Sequence, residues 1–169
     1  SAIVPYLDKH RKEELVEKKE NSATFSIKSS IETLKKYPFE FELQLIYTIE
    51  DFNLTVEYKV IKNGNSAMPF SIGAHPAFAL PGNFENYSIA FNKEEALEFY
   101  LLENDLISNQ TKKLDVQNKQ IPLNYQLFEN DALIFKTLES DSLTFLENST
   151  PLLSVHLEDF PSLGIWTKM

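Results

Sequence analysis

The chain has no cysteine, a single arginine and only four glycines in 169 residues. Without cysteine there can be no disulfide framework, no thiolate nucleophile and no cysteine-type zinc site, a composition that fits a reducing cytosol. One arginine, Arg11, with a net charge of -9 and a pI near 4.8, argues against nucleic acid or an anionic membrane as partner. Binding of either kind draws its affinity from clustered Lys and Arg. Glycines at 64, 73, 82 and 164 cannot write a Walker loop or a G-x-G-x-x-G fingerprint. No apolar run approaches the roughly 18 residues of a membrane span, and the N-terminus shows no signal-type apolar stretch. A cytoplasmic protein is therefore expected. The three histidines, His10, His75 and His156, have no H-E-x-x-H spacing, and no G-x-S-x-G elbow occurs. Metal and acyl-enzyme chemistry thus lack a motif.

What is present is aromatic and β-prone. Thirteen Phe and seven Tyr favour strands over helices, and the chain is long enough to bury roughly 70% of its unfolded surface in one domain. Residues 8–20 mix both charge signs with little to bury, which predicts an exposed helix or a solvated lead-in, with 1–14 outside the core and 15–169 forming the domain. From Phe39 the pattern alternates: Phe39, Phe41, Leu43, Leu45, Tyr47 and Ile49 face one way and Glu40, Glu42, Gln44 and Thr48 the other, with Ile46 the one exception. Leu54, Val56, Tyr58 and Val60 resume it after Glu50-Asp51-Phe52-Asn53, predicting a long antiparallel hairpin. Shorter strands are expected at 87–91, 132–137, 142–146, 152–157 and 163–167, and the polar residues 103–120 read as a surface excursion. Many short strands without a βαβ rhythm predict an all-β antiparallel sandwich or barrel.

His75 stands apart from the other histidines. It follows Pro69-Phe70-Ser71-Ile72 and lies between Gly73-Ala74 and Pro76, so the proline holds its backbone extended while Gly73 permits a bulge or a close approach. An imidazole presented by so restricted a segment suits proton transfer near neutral pH. A partly buried histidine bonding a neighbouring loop is the other reading. His156 falls on the opposite side of its strand from Val155 and Leu157 and reads as solvent-facing. Asp131, after Glu129-Asn130, reads as a turn or strand-start residue. Trp166 could stack on a sugar or simply fill a core.

Several strings resemble the LacX-like branch of the aldose 1-epimerase family. They are Tyr37-Pro38-Phe39-Glu40-Phe41, Met68-Pro69-Phe70-Ser71-Ile72-Gly73-Ala74-His75-Pro76-Ala77-Phe78, Leu127-Phe128-Glu129-Asn130-Asp131-Ala132-Leu133 and Asp159-Phe160-Pro161-Ser162-Leu163-Gly164-Ile165-Trp166-Thr167, in that order. The resemblance implies a galactose mutarotase-like β-sandwich that interconverts the anomers of a free aldose without cofactor or metal. It implies that His75 is the general acid at the ring oxygen and that Asp131 bonds sugar hydroxyls, with Phe78 and Trp166 as further cleft residues. The family's base is a glutamate in a Cys-Ile-Glu-Pro-Trp-like strand, and no glutamate of this chain stands in such a motif. A His-Gly-Phe-x-Arg-like motif is also missing, since His10-Arg11 does not match it. The chain is therefore expected to be part of a longer sandwich, with a non-catalytic sugar-binding or structural role as the alternative. Uncovered edges and apolar faces of a partial sandwich would favour self-association.

Overall fold

A computed structural model of the chain describes residues 13–104, 106–114 and 119–167. The described residues divide into two compact units, the first ending at Ile72 and the second beginning at Gly73. Both are built from antiparallel strands, as the patterning predicts.

The first unit carries β1 (Glu14–Lys18), β2 (Ser22–Lys28), a one-turn helix α1 (Ile31–Leu34), β3 (Phe41–Glu50) and β4 (Asn53–Lys62), with sheet order β1-β2-β3-β4. The expected hairpin is present in unbroken register, from Glu50 opposite Asn53 to Phe41 opposite Lys62. Only Asp51 and Phe52 lie between the strands, and Asp51 takes φ 51. Such a short loop needs positive φ to match the strand twist, and Asp tolerates it. Leu43, Leu45 and Tyr47 lie opposite Val60, Tyr58 and Val56, and β2 adds Phe25 and Ile27 to the same face. Phe25 meets Tyr47 edge to face, with ring centroids 5.9 Å apart. On the opposite face Gln44 and Ser26 both donate to Glu42 Oε1, each at 2.8 Å. These bonds, Gln44's first, hold the Glu42 carboxyl below its ordinary range.

Helix α1 begins with a reciprocal cap. Thr33 N–H donates to Ser30 Oγ and Ser30 N–H to Thr33 Oγ1, satisfying two donors that a helix start leaves open. Residues 14–18 correct the expectation of a helix or lead-in, because they form β1, exposed throughout and paired with β2. Dense mixed charge carries no period of its own, and what decides the conformation is a ladder partner several residues downstream. Residues 1–12, His10 among them, lie outside the described residues.

The second unit is a two-sheet sandwich. One sheet orders β11 (Thr150–His156), β10 (Ser142–Glu147), β5 (Tyr87–Phe91) and β8 (Gln120–Pro122). The other orders β12 (Leu163–Ile165), β9 (Leu133–Phe135), β6 (Glu98–Glu103) and β7 (Leu106–Lys113). Their inward residues form one core: Tyr87, Ile89, Phe91, Ile121 and Leu143 from the first sheet, and Phe99, Leu133 and Phe135 from the second. This is the period-two alternation of a half-buried strand realised on both sheets.

Residues 103–120 correct a second expectation. Much of the supposed excursion is β7, an exposed edge strand on β6. Its polar Ser108-Asn109-Gln110-Thr111-Lys112-Lys113 shows no apolar face because an edge strand of this kind has little to bury. The pairing of Glu98 opposite Lys113 sets unlike charges across the ladder.

Candidate functional site

Register brings the site together at one end of the second sheet. Strand β12 runs antiparallel to β9, with Leu163 opposite Phe135, Gly164 opposite Ile134 and Ile165 opposite Leu133. The residue just past β12, Trp166, therefore emerges beside the residues just before β9, Asp131 and Ala132. Room beside residue 164 is limited: a Cβ there would meet Ile134 Cδ1 at 3.3 Å, so that the end of the isoleucine side chain would have to give way slightly.

Asp131 has an unusual backbone. A 3₁₀ turn over Tyr125–Phe128 is capped by Asn124, whose Oδ1 accepts from Leu127 N–H at 3.0 Å. The chain then turns through Glu129 and Asn130, and Asp131 N–H donates to Phe128 carbonyl at 3.1 Å. Asp131 sits at φ 88, a left-handed conformation that costs a non-glycine residue of order 1 kcal/mol or more. Its own carboxylate helps hold it there, since Oδ1 accepts from Ala132 N–H at 2.6 Å. The other carboxylate oxygen has no part in this bond, and the residue is exposed.

Trp166 links the remaining candidate to this end of the sheet. Its indole Nε1–H donates to His75 Nε2 at 2.7 Å. The ring centroids are 5.4 Å apart with planes 31° from parallel, so the rings meet at their edges rather than stacking face on face. Both side chains are exposed, Trp166 at 54%. The indole can only donate, so His75 Nε2 presents its lone pair to it.

Trp166 and Asp131 line one cleft of about 520 Å³, together with Asn104, Glu129 and Asn130 and the apolar Leu102 and Phe128. A volume of this size suits a monosaccharide-sized ligand. The indole and Leu102 offer apolar surface to the C–H face of a sugar, while two carboxylates and two amides offer acceptors and donors to hydroxyls. His75 is not a lining residue of this cleft and reaches it through Trp166. Phe78 lies apart, its ring packed on Phe145 of β10 at 5.2 Å between centroids. A smaller pocket of about 260 Å³ shares Asn130 and Asp131 and is otherwise lined by Lys112, Asn124, Gln126 and core residues.

Glu129, Asn130 and Asn104 did not stand out in the sequence. For the first two a signal exists, because they share the tight turn that aims Asp131 and must emerge on its side. Asn104 comes from the turn after β6, a strand that the sequence pattern does not reveal.

A family model described as aldose 1-epimerase matches residues 9–162. The plasmid and chromosomal forms of protein LacX from Lactococcus lactis subsp. lactis are each 36% identical over 168 residues, an alignment covering 93% of this chain and 56% of theirs. The chain thus spans about half the length of the curated relatives it matches. A galactose mutarotase related enzyme from Lactobacillus acidophilus superposes with a TM-score of 0.86 at 25% identity, over 95% of this chain and 56% of that one. A galactose mutarotase-like protein from Lactobacillus casei ATCC 334 gives 0.77 at 22% identity, over 92% and 55%.

Proposed function

The chain belongs to the aldose 1-epimerase family, and from that premise we propose that it binds a free aldose in the cleft between Trp166 and Asp131. His75 acts at the sugar ring oxygen. The observation that carries this reading is the placement of Trp166, which lines the cleft with Asp131 and bonds His75 through its indole nitrogen. The indole supplies a platform for the sugar's apolar face, and Asp131 with Asn130 takes its hydroxyls. Anomer interconversion then needs a base to remove the anomeric hydroxyl proton while an acid delivers a proton to the ring oxygen as the C–O bond breaks, so that the ring opens to the free aldehyde and recloses on either face. His75 is the acid. Of the two cleft carboxylates, Asp131 is given to the sugar hydroxyls and Glu129 is left to accept the anomeric hydroxyl proton, although it does not stand in the family's glutamate motif.

Polarimetry on freshly dissolved α-glucose or α-galactose tests the reaction, with His75→Asn as the comparison. Mutarotation faster than buffer and abolished by His75→Asn is the expected result. A rate that the substitution leaves unchanged removes His75 from the mechanism. Sugar binding with no acceleration favours the second reading, a non-catalytic sugar-binding module.

We place the protein in the cytoplasm, since its acidic, cysteine-free composition suits that compartment. No described helix is long and apolar enough to cross a membrane. Self-association is supported by the exposed apolar tip of the β3–β4 hairpin, where Ile49, Phe52 and Leu54 are 58%, 105% and 62% exposed. Sedimentation velocity over a range of concentrations tests it, and a monomer throughout would exclude it.

A further inference from the structure

We infer that the outer edge of β4 is a self-recognition surface, on which a second copy of this chain adds its own β4 antiparallel about a two-fold axis at Tyr58. The inference rests on the self-association reading above and names its surface and register. Among the described residues β4 ends its sheet, and it is ten residues long with none of them buried. Every other strand that ends a described sheet carries a feature that blunts pairing. Strand β1 has an extra residue, Val16, in its ladder with β2, and β11 has Pro151 together with a shifted register. Strand β7 has a shifted register, and β8 and β12 are three residues long. Strand β4 has neither a proline nor a shift anywhere along its ladder with β3.

The parity of that ladder decides which backbone groups face outward. Asn63 N–H donates to Glu40 carbonyl, so the odd-numbered residues of β4 turn their backbone groups toward β3. Leu54, Val56, Tyr58, Val60 and Lys62 turn theirs the other way. The side chains then select the register. A two-fold axis at Glu57 or Lys59 sets that residue against its own copy, like charge on like. An axis nearer either end leaves much of the strand without a counterpart. An axis at Tyr58 sets Glu57 opposite Lys59 on both sides of the axis and Val56 opposite Val60. The even-numbered residues exchange the backbone bonds, so Glu57 and Lys59 fall at the closely spaced positions between them, and both are exposed. The pairing uses the edge of the strand and leaves both faces of the sheet as they are.

Sedimentation velocity on the full chain and its charge variants tests the surface. A concentration-dependent dimer is expected. Glu57→Lys and Lys59→Glu each turn attraction into repulsion on both sides of the axis and should raise the dissociation constant about ten-fold or more. Mixing the two variants restores unlike charges across the pair, and so does the double exchange in one chain, so both should associate within about two-fold of the parent. Amide exchange reads the backbone: Val56 and Val60 N–H should gain protection as protein concentration rises, while Thr55 and Glu57 N–H, turned toward β3, are protected at every concentration. A monomer throughout overturns this inference together with self-association. A dimer indifferent to the charge variants, a mixture no tighter than either variant alone, or Val56 and Val60 amides that never gain protection overturns the β4 edge and leaves the hairpin tip as the contact. None of these measurements involves sugar, so failure of the proposed reaction would appear separately, in polarimetry.

Discussion

Asp131 pays a conformational cost that a different residue would avoid, and three substitutions there separate the backbone from the carboxylate. At φ 88 a Cβ is strained by about 1–2 kcal/mol, and the Oδ1 bond to Ala132 N–H returns about 0.5–1.5 kcal/mol. Asp131→Ala keeps the strain and loses the bond, so it should destabilise by about 1 kcal/mol. Asp131→Gly loses the bond as well but relieves the strain. The glycine's extra freedom in the unfolded chain takes back about 0.4–1 kcal/mol. Glycine should therefore be more stable than alanine by about 0.5–1 kcal/mol, roughly 1–4 °C in melting temperature for a chain of this length. Asp131→Asn can reproduce the local bond and should melt near the parent. All three lose the carboxylate, so all three should weaken sugar binding, read by titration calorimetry or ligand-detected NMR. Stability and binding would then part company at one position, as expected where strain is held in place to aim a functional group. If Asp131→Ala melts above Asp131→Gly, the left-handed backbone is not strained and the argument fails. If Asp131→Gly binds sugar as the parent does, the residue has no place in the site.

Leu133, 1% exposed between the two sheets of the second unit, should cost about 2–5 kcal/mol on truncation to alanine, seen as a lowered denaturation midpoint. Asp141 accepts from Lys93 Nζ at 2.8 Å and from Asn92 Nδ2 at 2.7 Å, and these bonds, the lysine's first, hold its carboxyl below the ordinary value of 3.8. With the folded value depressed, its contribution is present above that ordinary value and lost as the pH falls toward the folded one. Asp141→Asn should thus flatten the dependence of melting temperature on pH below about 4, an exposed and salt-sensitive effect, and an unchanged slope would exclude the tether. If the chain catalyses mutarotation, Glu129→Gln should lower the polarimetric rate at least ten-fold as expected of a general base, and a rate within two-fold of the parent would assign the base elsewhere.

The sequence discloses the parts of this molecule whose partners are close or whose faces differ strongly. The β3–β4 hairpin is legible because Phe41, Leu43, Leu45 and Tyr47 alternate with polar residues and a two-residue turn sets the register. Strand β7 is hidden for the opposite reason, since after Leu106 and Ile107 both of its faces are polar and its ladder with β6 is its main support. Strand β1 is hidden likewise, because Leu15 meets its apolar neighbour Phe25 only once β2 has come alongside. The candidate site shows the same division. His75 and Asp131 are marked by their own surroundings, a proline in one case and a turn in the other, but nothing local says that His75 and Trp166, 91 apart in sequence, should share a hydrogen bond. That link follows from the β9–β12 ladder, in which Gly164 lies close against Ile134. Placing Val at 164 therefore tests the assembly itself. The added side chain must displace Ile134, so the bond between Trp166 and His75 should loosen and the indole N–H resonance should shift, although neither bonded residue has been altered. An unmoved resonance would mean that Trp166 is held by something other than the strand it follows.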